Sequence, residues 1–122
     1  MPSLQESLHR FLAVDGVRTA ALIDIATGMI VQLVGKAGPD IAVTASCMAD
    51  EARAARMALG PGMPAGDVDG ITTVTTTRLH IARILLSHPG AGLLLLVDVE
   101  RGSSNIALAS LRVDQLAPAV LA

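Results

Sequence analysis

The side chains able to carry chemistry in this sequence are few and scattered. Its three histidines, His9, His80 and His88, fall in an amphipathic stretch, an apolar run and a turn, with none of the short spacings that bring two imidazoles onto one metal. Each reads as a surface residue or an internally satisfied one. Cys47, the only cysteine, stands beside Met48 in a helical pattern, and Arg53 is its nearest basic residue in sequence. With no close cation to activate the thiol, a small buried hydrophobe is the expectation rather than a nucleophile. Serines and threonines abound, but no Gly-x-Ser-x-Gly elbow frames one. Gly35-Lys36-Ala37-Gly38 is not a phosphate loop, because no Ser or Thr follows the lysine and the upstream glycine spacing is missing; it reads as a connector. Asp67 and Asp69 alone offer too few oxygens for calcium, which takes about six or more. Arg83, set among apolar neighbours, is the one charge that looks misplaced. It pairs with an acidic side chain, snorkels to the margin of its sheet, or has a functional role. No catalytic residue, metal site or cofactor is assigned, and no acid–base or nucleophile constellation supports an enzyme.

Composition narrows the classes further. With 122 residues, the chain is expected to form a single domain over 1–122, large enough to bury a core without staples. Apolar residues make up 52% of it, yet Phe11 is the sole aromatic. Stacking recognition of single strands or sugars, which needs aromatic faces, is therefore disfavoured. A formal charge of −2 provides no basic field for nucleic acid. The lone cysteine excludes an internal disulfide and fits a reducing compartment. MPSLQESLHR shows no signal-peptide pattern, and the longest apolar runs are broken before the ~20 residues of a membrane span. A cytoplasmic protein without membrane insertion is expected.

The elements that must position these residues follow from periodicity. Ser3 to Val14 is a first helix, opened by a Ser3/Glu6 capping box, with Leu4, Leu8, Phe11 and Leu12 on one stripe and Gly16 as the exit. Val17–Asp24 and Met29–Gly35 are strands joined through Ile25-Ala26-Thr27-Gly28, the first interior and the second, with Gln32 in its middle, an edge. Asp40–Leu59 is the longest helix, with Ile41, Ala45, Met48, Ala52, Ala55 and Leu59 facing the sheet. Its opposite face carries Val43, Ser46, Asp50, Arg53 and Met57, flanked by Ala42, Ala49 and Ala54. That face is either a partner-facing surface, for which the small residues and exposed Val43 and Met57 argue, or an ordinary outer face. The Gly/Pro-rich stretch Gly60–Gly70 is a connector or a mobile flap. Then come three strands, Ile71–Thr77, His80–Ser87 and Leu93–Val99, the last two linked by the turn Ser87–Gly92. A last helix runs from Ser104 or Asn105 to about Ala117. Ile106, Ala109, Val113, Leu116 and Ala117 are its buried stripe, continued by Val120 if the helix survives Pro118. Leu108 and Leu111 either widen the buried arc or expose an apolar patch.

The order helix, two strands, helix, three strands, helix puts the two most apolar strands side by side. The expected fold is an α/β (α+β) sandwich with a five-stranded antiparallel sheet in order 2-1-5-4-3, the long helix on one face and the terminal helices on the other. ITTVTTT then forms one margin. It carries no Lys, Pro or charge of the kind that blunts an edge, so pairing with the same strand of a second chain is expected. The homodimer interface assigned on this basis is Ile71, Thr72, Thr73, Val74, Thr75 and Thr76, reinforced by Val43, Ser46, Asp50, Arg53 and Met57.

GVRTAALIDIATGMIV, PDIAVTASCMADEARAARMAL and ITTVTTTRLHIARILL…LLLLVDVERGSSNIALASLRVDQL together resemble the roadblock/dynein light chain (roadblock/LC7-type) family, over roughly Leu4 to Leu116. Gly16-Val17 and the Gly28 hairpin are the clearest points of likeness, and the short chain looks like the bacterial stand-alone type. The resemblance implies a profilin-like sandwich and a homodimer built from the third strand and the middle helix. It also implies a non-enzymatic role in binding and regulating, or scaffolding, a small Ras-like GTPase. Asp50, Arg53 and Met57 would face that GTPase, and Arg53 and Arg56 could in principle serve as arginine fingers, although steadying the GTPase's own catalytic loops is the expected route. The alternative is a small-ligand-sensing regulatory domain of related sandwich fold, against which the aliphatic packing argues.

Overall fold

The computed structural model describes residues 3–59, 68–85, 92–103 and 105–121. Helix α1 (Leu4–His9) continues as a 3₁₀ turn over Arg10–Ala13, followed by strands β1 (Val17–Asp24) and β2 (Ile30–Gly35) and helix α2 (Ile41–Leu59). Strands β3 (Gly70–Val74), β4 (Arg78–Ile84) and β5 (Leu93–Glu100) come next, then helix α3 (Ile106–Leu116). The strands form one five-stranded sheet in the order β2-β1-β5-β4-β3, antiparallel throughout, with the two most apolar strands, β1 and β5, side by side as expected. The turn Ser87–Gly92 lies, apart from Gly92, outside the described residues, as does most of Gly60–Gly70.

Side chains alternate across β1 and β5, so each strand feeds two cores. Ala20, Leu22, Leu95, Val97 and Val99 point to one face, where Leu8, Phe11, Ala109, Val113 and Val120 of the terminal helical segments cover them. Ala21, Ile23, Leu94 and Leu96 point to the other, beneath Ala45, Met48, Ala49 and Ala52 of α2. Alanines on α2 let the helix lie close to the sheet, and Phe11 supplies the bulk on the opposite side.

Local chemistry sets the element ends. Ser3 accepts a hydrogen bond from the Glu6 amide and Asn105 one from the Leu108 amide, each satisfying an orphan donor at a helix start. The first helix is expected to be regular to Val14 but tightens to 3₁₀ after His9, and Gly16 then turns the chain at φ 85°. The third strand is shorter than expected. It ends at Val74, because the Thr75 hydroxyl accepts from the amides of Thr77 and Arg78 and closes a turn over Thr75–Arg78. The next strand accordingly begins at Arg78, not His80. Pro118 ends α3, but a 3₁₀ turn over Ala117–Ala119 carries the chain on to bury Val120.

Candidate interaction surface

The two margins of the sheet differ. In β2 the pairing shifts from Leu22↔Gln32 to Ile23↔Ile30, leaving Val31 as an extra residue. That bulge twists the strand, Gly35 turns it at φ 92°, and Lys36 follows, all devices that spoil a template for pairing. β3 has no bulge: Gly70↔Arg83, Ile71↔Ala82, Thr72↔Ile81, Thr73↔His80 and Val74↔Leu79 are in continuous register with β4. The ladder is closed at its ends by Ile84 N–H to Asp69 O (2.7 Å) and Thr75 N–H to Arg78 O (2.9 Å).

Antiparallel pairs alternate between hydrogen-bonded and non-hydrogen-bonded. Since Asp69 accepts from the Ile84 amide and the Thr75 amide donates to the Arg78 carbonyl, the alternation makes Ile71 and Thr73 also point their backbone groups at β4. Those of Gly70, Thr72 and Val74 therefore point outward, to a margin where no described residue pairs with them. Thr75 offers nothing there: its amide is bonded to the Arg78 carbonyl, and its own carbonyl accepts from Arg101 Nη1 at 2.8 Å. Of the six strand positions assigned to an interface, Ile71 to Val74 lie on the strand, whereas Thr75 and Thr76 lie in the turn. Ile71 packs against the α2 core, and Val74 is 47% exposed.

On α2, Val43 and Met57 are 64% and 82% exposed, with Asp50 also open to solvent. Four residues sit differently from expectation. Ala49 is fully buried in the core, having rotated inward beside Ala45 and Ala52. Cys47 is exposed, not buried, because it lies on the side of the helix away from Met48's core contact. Ser46 and Arg53 lie along the flank facing the β1–β2 turn. Gly28, at φ 75°, approaches so closely that a Cβ there would stand 3.1 Å from Ser46 Cα. Arg53 donates to the carbonyls of Ile25 and Ala26 and pairs with Asp50. The turn is further knitted by Asp24, which accepts from the Thr27 hydroxyl (2.8 Å). Arg53 is thus a strut between helix and hairpin, and the outward-facing remainder is Val43, Asp50 and Met57.

Two charge clusters lie on the sheet, and sequence anticipates a part of one of them. Arg83 donates through Nε to Asp114 of α3 at 2.7 Å and through Nη1 to the Ala82 carbonyl, so its expected ion pair is present. Gly70 makes room for it: a Cβ at Gly70 would meet Arg83 Nη1 at 2.8 Å. On the α2 face, Asp98 lies between Arg78 (3.2 Å) and His80 (3.4 Å). Its Oδ1 is buried and accepts no hydrogen bond. Only the cross-strand register His80↔Asp98 brings these residues together, and no local motif signals it. Among the described residues, no group of His, Cys, Asp and Glu side chains is arranged to hold a metal, and no helix is long and apolar enough to cross a membrane.

Comparison of the sequence with family models and with curated proteins finds no match. Comparison of the structure does. A roadblock/LC7 domain from Streptomyces avermitilis superposes with a TM-score of 0.78 at 20% identity, covering 98% of this chain and 96% of that one. MglB in a tetrameric arrangement gives 0.78 at 16% identity, with 96% and 84% covered. The gliding protein MglB of Thermus thermophilus gives 0.73 at 15%, with 96% and 87% covered. At these identities the likeness is one of architecture, and it agrees with the strand order and helix placement found above: the chain has the roadblock/LC7-type α/β fold.

Proposed function

We propose that this chain is a non-enzymatic interaction module that pairs with a second copy of itself through β3 and α2, and that the dimer binds and regulates or scaffolds a small Ras-like GTPase. The observation that carries the dimer is the β3 margin, with the backbone groups of Gly70, Thr72 and Val74 pointing outward, set against a β2 margin spoiled by its bulge. A twofold axis beside Thr72 places it opposite its own copy and Gly70 opposite Val74, so every outward group finds a partner. At about 0.5–1.5 kcal/mol net per hydrogen bond, such a ladder does not by itself offset the roughly 4–15 kcal/mol cost of association. Apolar contact from α2 is needed as well. Val43 and Met57 provide it, at about 1.5–3 kcal/mol for each side chain fully buried.

The GTPase follows from the family resemblance. The S. avermitilis roadblock/LC7 domain and MglB share this architecture, and one of those relatives forms a tetrameric arrangement. Regulation would act by steadying the GTPase's own catalytic loops. Arg53 is held by the hairpin carbonyls and Asp50, which disfavours it as an inserted finger. The ligand-sensing alternative loses ground because Leu22, Ile23, Ala45, Leu94 and Val97 have at most 1% exposure. A side chain with no accessible surface borders no void that admits water.

Affinity capture from native lysate on the immobilised protein, followed by a nucleotide-hydrolysis assay of any captured GTPase with and without it, tests this reading. A recovered GTPase whose hydrolysis rate changes supports it; none recovered at micromolar protein contradicts it.

A further inference from the structure

On the face of the sheet away from α2, helix α3 carries two stripes. Ala109, Val113 and Leu116 face the core. A second row, Leu108, Leu111, Arg112 and Gln115, follows the i, i+3, i+4, i+7 spacing of a helix-docking face and lies exposed, Leu108 at 48% and Leu111 at 53%. Beside it runs a half-open groove of about 540 Å³ between α3 and the 3₁₀ turn that follows α1. Ala13, Val14, Leu108, Ala109 and Leu116 form its apolar lining, while Arg10 stands on one wall and Arg112 on the other. Both arginines are exposed, and among the described residues neither has a hydrogen-bond or ion-pair partner. Asp15 also lines the groove but pairs with neither, so the lining is net positive in a chain whose overall charge is −2.

We propose that this groove is a second docking surface, taking an amphipathic helix of a partner protein with a leucine-type stripe flanked by carboxylates. An apolar ridge would fill the alanine-floored trough, and an acid on each side of it would meet Arg10 and Arg112. The groove lies across the sheet from α2 and away from the β3 margin, so a second copy bound at those elements leaves it open. The inference stands on α3 and the 3₁₀ turn alone and does not require the GTPase reading.

The test uses the full chain and three synthetic helices about five turns (27 Å) long. They share one leucine stripe and differ in flanking glutamate, glutamine or lysine. Titration by fluorescence anisotropy at low salt should give the glutamate peptide about tenfold tighter binding than the lysine peptide, with the gap narrowing as salt is added. The double variant Arg10→Glu/Arg112→Glu should invert that order, and amide shifts should fall on Arg10–Asp15 and Asn105–Leu116. Because both arginines are exposed, the variant should keep the wild-type circular dichroism. Equal affinities, no binding at about millimolar peptide, or shifts confined to α2 and β3 would overturn the proposal. A lowered particle mass for Leu111→Glu would also overturn it, by assigning the face to a second copy.

Discussion

At the scale of single residues, stability rests on a few positions with no substitute. Phe11 is fully buried and is the only aromatic side chain, so Phe11→Ala should cost about 3–5 kcal/mol in urea unfolding, at the upper end for core truncations. Gly35 combines φ 92° with a position where a Cβ would stand 2.2 Å from the Arg18 carbonyl oxygen. Gly35→Ala therefore adds a backbone clash to the roughly 1–2 kcal/mol of a left-handed alanine, and thermal unfolding should show a loss beyond that range. Arg53→Ala strips the Ile25 and Ala26 carbonyls of their donor. A loss of about 1–2 kcal/mol is expected, tempered because the guanidinium is 42% exposed. The Arg83–Asp114 pair should contribute less than about 1 kcal/mol in a double-mutant cycle, since Asp114 is 54% exposed.

Among the elements, β3 carries the functional argument and offers a clean substitution. Thr72→Pro removes an N–H that points away from β4, so the ladder Gly70–Val74 should survive while pairing across the margin is lost. Light scattering should show a halved mass with unchanged circular dichroism. Thr75→Pro would break the Thr75–Arg78 turn bond instead and confuse folding with assembly. β1 and β5 were legible in the sequence because continuous aliphatic runs have few other uses, and their centrality fixed the strand order. The end of β3 was not. Thr75, Thr76 and Thr77 are as β-prone as Thr72 and Thr73, and only a hydroxyl reaching its own backbone distinguishes turn from strand. Periodicity places α2 and its core residues Ala45, Met48 and Ala52 correctly, but it puts Ala49 on the outer face, and residue type alone puts Cys47 in the core. A helix rich in alanine offers little contrast between faces, and cysteine is usually buried. The Val31 bulge and the Arg78–Asp98–His80 cluster depend on cross-strand register, which local sequence does not encode.

For the molecule as a whole, the sheet has one margin spoiled by a bulge and one that no described residue pairs with, α2 exposes Val43 and Met57, and α3 offers its own groove. Assembly through the β3 margin would join two sheets into one and leave the α3 face available on each copy. The most direct check is amide hydrogen exchange, residue by residue, as protein concentration is raised. The account predicts that Ile71 and Thr73, bonded to β4, are protected at every concentration, while Gly70, Thr72 and Val74 exchange freely when dilute and slow together as copies pair. Amides of Gly70, Thr72 and Val74 that still exchange freely at about millimolar protein, far above the Kd of a specific dimer, would contradict it.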